Sequence, residues 1–218
     1  MSFDRLLNYM PALLEGSAKT LILTIVSVFF GMILGLFLAL GRLSKNKAVD
    51  RASWIYIWLF RGTPLLMQLF FIYYALPMIY KPLTIPGQWP AAFIALSLNS
   101  AAYLAEIIRA AIQSIDKGQM EAAKALGMGY GQAMRRIIVP QSYRRLIPPV
   151  GNEFIALLKD SSLVSLIGMT ELMRTTSQIS ISESVAIIFI PSAALYLLLT
   201  TLFTVVFEKL ERKYSVYE

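Results

Sequence analysis

QMEAAKALGMGYGQAMRRIIVP, residues 119–140, is a polar, helix-forming stretch that lies between long apolar runs. A helix is predicted over residues 119–126, with Glu121 in its first turn, where a carboxylate complements the helix dipole. Gly127 stands where a left-handed glycine commonly ends a helix. A second helix is predicted over residues 130–138, ending before the proline that closes the stretch. The pattern therefore predicts two short helices joined by a glycine turn, outside the membrane.

The rest of the chain has the composition of a membrane protein. Of its 218 residues, 57% are apolar and only 15% are charged, whereas about 25% of an ordinary soluble domain is charged. A helix needs about 20 mostly apolar residues to cross a bilayer. Five such segments are predicted, at residues 20–40, 53–80, 90–112, 146–167 and 185–207.

Prolines interrupt two of these segments. Pro64, in the sequence RGTP, should break the second segment or begin its spanning part. Pro148, Pro149 and Gly151 should bend the fourth helix or delay its start. Such breaks are tolerated where the backbone faces protein or a cavity rather than lipid, so the second and fourth helices are expected to face the interior.

Charge asymmetry predicts the orientation in the membrane. Fourteen of the basic residues fall in three links or tails on one side, against four on the other. Because cytoplasmic segments are enriched in Lys and Arg, the N-terminus is predicted outside and the C-terminus in the cytoplasm. The fourteen are Arg42, Lys45, Lys47, Arg51, Arg109, Lys117, Lys124, Arg135, Arg136, Arg144, Arg145, Lys209, Arg212 and Lys213.

Several classes of chemistry find no support in the composition. The chain contains no Cys and no His, which removes thiol chemistry and the commonest general base and metal ligand. The glycines of GMGYG do not form a phosphate-binding loop, since no strand precedes them and no Lys follows at the required place. We therefore expect no catalytic residue, no metal and no cofactor in this chain, and any energy from ATP must come from another chain. A membrane enzyme using Glu106, Glu153 or Asp160 is a weaker alternative.

Polar side chains inside the predicted spans are candidates for a substrate cavity. Glu153 and Asp160 lie on one stripe of the fourth helix, and Asn99 shares a face of the third helix with Tyr103 and Glu106. The predicted substrate-binding set is Gln68, Asn99, Glu153, Asp160, Ser161 and Ser162. The alternative is that these groups make structural hydrogen bonds between packed helices.

Three further charged residues have a structural explanation. Glu106 and Arg109 are three residues apart and are expected to form an ordinary helix ion pair. Arg61 is expected to extend toward the cytoplasmic interface as a membrane anchor.

EAAKALG followed by IIVP resembles the EAA signature of ABC-importer permeases in order, spacing and location. Other stretches resemble the polar amino acid branch of that family, and together they cover nearly the whole chain. They are LLEGSAKTL (13–21), FRGTPLLMQLFFIYY (60–74), AYLAEIIRAAIQSIDKGQMEAAKALG (102–127), PQSYRRLIPPVGNEFIALLKDSSL (140–163) and IGMTEL (167–172).

This resemblance implies an all-α integral membrane protein of five transmembrane helices with the fold of a type I ABC importer permease. It implies a single permease domain over residues 1–218, in which residues 115–140 form a cytoplasmic coupling loop. The loop would dock into a cytoplasmic ABC ATPase dimer, which binds ATP and magnesium. The residues that match the coupling core are Glu121, Ala122, Ala123 and Gly127, and Lys124 would add a contact.

The resemblance also implies a location and partners. The chain is expected to be a multi-pass protein of the bacterial cytoplasmic (inner) membrane, in contact with lipid and not with nucleic acid. A second permease subunit, identical or a sister chain, and an extracytoplasmic amino-acid-binding protein complete the assembly. Transport would proceed by alternating access driven by the ATPase.

The sequence departs from the family at two places in the possible cavity. Ser161 stands where Thr is common, and the short run that begins at Asn99 varies among relatives. If Glu153 and Asp160 face the cavity, they favour a cationic amino acid such as arginine, lysine or histidine. The remaining alternatives are a permease for another small solute, an ion-coupled secondary carrier, and a loop that lies on the inner leaflet as an amphipathic helix.

Overall fold

The structure, a computed structural model, describes residues 3–214, with side chains from residue 7 onward. The described residues form helices and turns and contain no strand. The α-helices are α1 (Phe3–Arg42), α2 (Lys47–Gly62), α3 (Leu65–Phe70), α4 (Leu76–Ile79), α5 (Gln88–Gln113), α6 (Lys117–Ala125), α7 (Tyr130–Ala133), α8 (Val139–Asp160), α9 (Leu172–Ser182) and α10 (Phe189–Tyr214). Short π-helical turns at Phe71–Ala75 and Met134–Ile138 join α3 to α4 and α7 to α8.

Three helical segments in the described part of the chain are long and apolar enough to cross a membrane. They are Leu7–Arg42, Gln88–Gln113 and Ala186–Tyr214. A fourth exists if the segments Lys47–Gly62 and Leu65–Ile79 form one span, bent by 104° at the break between them. Pro64 lies at this break, so its predicted effect on the second segment is confirmed. The five-span arrangement and its orientation stay predictions.

The fourth predicted segment has different bounds from those expected. The helix α8 begins at Val139 rather than at residue 146, and it ends at Asp160, where a 3₁₀ turn over Ser161–Ile167 follows. Pro140 is compatible with this early start because the first helical positions need no N–H donor. Pro148 and Pro149 therefore lie inside α8 and do not delay its start. With 22 residues, this helix is about 33 Å long.

The helix predicted over residues 130–138 also continues further than expected. Instead of ending before Pro140, it passes through α7 and the π-helical turn directly into α8. The predicted coupling loop is therefore attached to α8 by continuous helix.

Small residues let α1 pack closely against its neighbours. A Cβ added at Gly31 would lie 3.1 Å from the Cβ of Ser100, and one at Gly35 would lie 3.0 Å from the carbonyl oxygen of Ala101. The spacing of these two glycines is the small-xxx-small pattern of membrane helix pairs. The main core lies between α1, α5 and α8 and includes Leu23, Leu96, Leu104, Leu157 and Leu158.

The helix α9 was not predicted from the sequence. It follows Gly168, whose φ of 82° ends the 3₁₀ turn in the left-handed region, and it buries Leu172 and Ile179 against Leu13 of α1. The first span was also predicted too short, since α1 begins well before residue 20.

Candidate functional site

The break between α2 and α3 opens a cavity of about 500 Å³ within the helical bundle. Thr63 and Pro64 are extended at this point, so the chain leaves the axis of α2 and restarts in a new direction. The extended backbone leaves space beside α5 and α8. The cavity is lined by Arg61, Gly62, Thr63, Pro64, Leu65, Asn99, Tyr103, Glu153, Ala156, Leu157 and Asp160.

Three of the predicted substrate-binding residues meet in this cavity. Asn99 comes from α5, and Glu153 and Asp160 come from α8. Ser100 fixes the carboxylate of Glu153, because its Oγ donates a hydrogen bond of 3.0 Å to Glu153 Oε1. The cavity therefore combines an amide with two carboxylates on its walls.

Gln68 is not among the residues that line this cavity, but its hydrogen bonds support the shape of the cavity. Its Nε2 donates to the carbonyl oxygens of Phe60, at 2.8 Å, and Thr63, at 3.0 Å, which belong to the last turn of α2 and the break. Its Oε1 accepts a hydrogen bond of 2.9 Å from Asn99 Nδ2. Buried backbone carbonyls left by a helix break require such donors, so Gln68 holds the broken end of α2 against α5.

The two predicted serines lie outside the described lining of the cavity. Ser161 is fully buried, and its Oγ donates to the carbonyl oxygen of Leu158 at 2.8 Å. Ser162 is half-buried in the 3₁₀ turn that follows α8. Both residues belong to the turn rather than to α8, which separates them from the cavity wall formed by Glu153 and Asp160.

Arg61 was missed as a cavity residue. Its guanidinium carbon lies 5.4 Å from the centre of the Tyr103 ring, and its Nη1 lies 3.8 Å from Glu106 Oε2. Glu106 also accepts hydrogen bonds from Arg109 Nε, at 3.0 Å, and Nη2, at 2.6 Å, which confirms the predicted helix ion pair. The position of Arg61 beside the helix break was the available signal, since a charge next to a break in a membrane helix faces protein or water.

The predicted coupling loop forms an exposed knob. Asp116 caps α6 by accepting a hydrogen bond of 2.7 Å from Gly118 N, and α6 therefore begins two residues earlier than predicted. As a result Glu121 lies in the second turn, and the prediction that places it in the first turn is wrong. The predicted left-handed glycine is confirmed, since Gly127 has φ 80°.

The predicted coupling residues differ in exposure. Ala123 is buried against the rest of the loop, whereas Glu121, Ala122, Lys124 and Gly127 are exposed. The sequence analysis did not single out Leu126, whose side chain is 82% exposed next to the glycine turn.

The model of one protein family, described as the binding-protein-dependent transport system inner membrane component, matches residues 10–216. The chain belongs to this family. This permease is 41% identical over 212 residues to the L-cystine transport system permease protein TcyB of Bacillus subtilis (strain 168), covering 96% of this chain and 89% of the relative. It is 43% identical to the arginine transport system permease protein ArtQ of the same organism, covering 82% and 80%. It is 36% identical to the glutamine transport system permease protein GlnP of Escherichia coli (strain K12), covering 94% of each chain.

A solved structure described as an amino acid ABC transporter with histidines superimposes on this permease with a TM-score of 0.91. The two chains are 40% identical, and the match covers 98% of this one and 99% of the other. An inward-facing structure of the MetNI methionine ABC transporter has a TM-score of 0.83 at 23% identity over 99% and 100% of the two chains, which shows the fold alone. These matches confirm the predicted family and the type I ABC importer permease fold. The family places the permease in a membrane and implies an ATPase and a binding protein as partners.

Proposed function

We propose that this chain is the permease subunit of an ABC importer for polar amino acids, and that the cavity at the α2–α3 break lies on the substrate path. The observation that carries the proposal is that side chains of opposite charge line the same cavity of about 500 Å³. Arg61 offers a cation, and Glu153 and Asp160 offer carboxylates. An amino acid presents a carboxylate and an ammonium group, which these residues complement. Gln68, Ser161 and Ser162 complete the proposed set as the supporting layer around the cavity.

The substrates in the names of the relatives support the class of solute. The names of the three relatives above specify L-cystine, arginine and glutamine. These amino acids differ in side-chain charge, and what they have in common is the α-carboxylate and the α-ammonium group. The class of substrate is therefore better supported than any single side chain.

We propose further that a cationic amino acid such as arginine, lysine or histidine is favoured. Glu153 and Asp160 both line the cavity, and Arg61 on its wall already lies 3.8 Å from Glu106, so the two carboxylates are available to a cationic side chain. Ligand-dependent thermal shifts of the purified transporter test this. Arginine is expected to raise the unfolding temperature in the parent and less in Asp160→Asn. Equal shifts with glutamate or glutamine, and none with arginine, would contradict the preference.

The ATPase is proposed to dock on the exposed knob of α6. The exposed residues there are Glu121, Ala122, Lys124, Leu126 and Gly127. The small, buried side chain of Ala123 lets α6 pack closely against the rest of the loop. The partner ATPase dimer would bind ATP and magnesium, and this chain would bind no cofactor of its own. Two permease subunits, identical or sister chains, would move between inward-open and outward-open states in the bacterial inner membrane. An extracytoplasmic amino-acid-binding protein would deliver the substrate.

Reconstitution of the permease with its ATPase in proteoliposomes tests this function. ATP-dependent uptake of a radiolabelled polar amino acid is expected, and Glu121→Arg or Gly127→Asp should abolish it while the ATPase still hydrolyses ATP. Glu183→Arg is the matched control, because Glu183 is also exposed but lies at the end of α9. Full uptake in both coupling variants would refute the docking role. Uptake without the ATPase would favour the ion-coupled carrier.

A further inference from the structure

A second cavity of about 470 Å³ adjoins the one at the helix break. It lies toward the end of α5 that leads into the coupling loop, and its lining includes Glu106, Ala110, Ser114, Arg145 and Pro149. Only two side chains, Arg61 and Tyr103, line both cavities in the described part of the chain. These two side chains therefore stand at the boundary between the upper cavity, at the helix break, and the lower cavity, near the coupling loop.

The boundary is a contact between two different helices. Arg61 belongs to the last turn of α2, and Tyr103 belongs to α5. The guanidinium carbon lies 5.4 Å from the ring centre, within the range of a cation–π contact. Glu106, 3.8 Å from Arg61 Nη1, draws the guanidinium toward the lower cavity.

The contact is placed where it can open. Glu106 is held by the two short hydrogen bonds from Arg109, so the carboxylate stays in place when Arg61 leaves. The next residue, Gly62, has no heavy atom within 4 Å of where its Cβ would be, and the extended Thr63 and Pro64 follow. The hydrogen bonds of Gln68 and Asn99 keep the end of α2 beside α5, so the contact opens through a movement of the exposed Arg61 side chain.

We propose that Arg61 and Tyr103 form a gate that closes the substrate cavity toward the coupling-loop side. The identity of the solute rests on the proposed function, but the gate rests on the two cavities and the contact between them. Alternating access requires a barrier on each side of the substrate, and a contact between two exposed side chains can break while the helices that carry them stay packed. The gate makes Arg61 a functional residue, whereas a membrane anchor would leave the path between the cavities unchanged.

Cysteine accessibility tests the gate directly, because the parent chain contains no Cys. Ala156→Cys reports on the upper cavity and Ala110→Cys on the lower one. The assembled transporter, without ATP, is treated in membrane vesicles with a charged, impermeant methanethiosulfonate reagent. The reagent is applied from the side at which Ala110→Cys reacts. In the parent background Ala156→Cys should react slowly, and adding Tyr103→Leu should raise its rate about tenfold, as expected when a cation–π contact is lost.

Matched variants separate the gate from general loosening of the structure. Tyr103→Phe keeps the ring and Arg61→Lys keeps the cation, so both should leave Ala156→Cys slow, while Arg61→Gln should accelerate it. Arg109→Gln should also leave it slow, because Arg109 holds Glu106 and does not contact the ring. The rate at Ala110→Cys should stay the same in every background.

The gate is overturned if Tyr103→Leu and Arg61→Gln leave the rate at Ala156→Cys unchanged, or if Tyr103→Phe raises it as much as Tyr103→Leu. Labelling requires no uptake, so the two proposals fail separately. A transporter that does not carry amino acids but shows the expected labelling pattern would refute the proposed function alone. Normal uptake with unchanged labelling would refute the gate alone.

Discussion

Glu171 is a fully buried carboxylate at the junction of three helices. Its Oε1 accepts a hydrogen bond of 2.7 Å from Arg174 N, and its Oε2 accepts one of 2.9 Å from Met173 N, which caps α9. The hydroxyls of Thr20, from α1, and Tyr196, from α10, donate to Oε2 at 3.2 and 3.1 Å. A carboxylate with this many donors fixes the relative positions of α1, α9 and α10.

Replacing Glu171 by Ala should destabilise the permease strongly. The change leaves the buried donors of Thr20 and Tyr196 without this acceptor and removes the cap of α9, a loss of about 3 kcal/mol or more. Thermal unfolding of the purified transporter, followed by intrinsic fluorescence, measures the effect. The control is Glu183→Ala, an exposed acidic residue just past the end of α9. Equal unfolding temperatures for the two variants would contradict a structural role for the buried carboxylate.

Single residues could be predicted where their role depends on neighbours in the sequence. The Glu106–Arg109 pair and the left-handed Gly127 are both set within one or two helical turns. The contacts of Glu171 with α1 and α10 could not be predicted, because these partners lie on other helices. Thr20, for example, is 151 residues from Glu171 in the chain. Arg61 was missed although its position beside the helix break was a signal.

At the scale of elements, the approach of α1 to α5 depends on Gly35. A Cβ at this position would lie 3.0 Å from both the Ala101 carbonyl oxygen and the Leu104 Cβ. Neither atom can move away by side-chain rotation, because the Ala101 oxygen belongs to the backbone and the Leu104 Cβ is bonded directly to it. The two helices must therefore separate if the glycine is replaced.

Gly35→Ala is expected to lower the free energy of unfolding by about 1–3 kcal/mol, the usual cost of overpacking a close contact. Thermal unfolding of the purified transporter measures the loss. Gly131→Ala is the matched control, since Gly131 is also helical but has no heavy atom within 4 Å of its Cβ position. If both variants unfold at the temperature of the parent, the contact does not limit helix packing.

The sequence predicted the existence of elements better than their ends. Long uncharged runs located α1 and α10, and Pro64 located the break in the second span. The start of α8 was missed because Pro140 was taken as a stop, although a proline in the first turn is compatible with a helix. The helix α9 was missed because its 11 residues are too few and too polar to cross a bilayer. Its position depends on packing against α1.

At the scale of the whole molecule, the permease presents broad apolar surfaces. Leu197, Leu198 and Leu202 of α10 are all more than half exposed, and so are Met78 and Ile79 of α4. In water such patches would cause aggregation, whereas a bilayer or a second subunit covers them. These surfaces fit a membrane environment, and the charge pattern predicts on which side of the membrane each link between the helices lies.

The predicted orientation can be measured with two single cysteines, since the parent chain supplies none. Thr84 is exposed in the link between α4 and α5, and Ser44 is exposed in the basic link between α1 and α2. With fourteen basic residues on the predicted cytoplasmic side, Thr84→Cys should react with an impermeant maleimide in intact cells. Ser44→Cys should react only after the cells are permeabilised, and the parent should not react at all. The opposite pattern would invert the orientation and would place α6 outside, where no cytoplasmic ATPase could reach it.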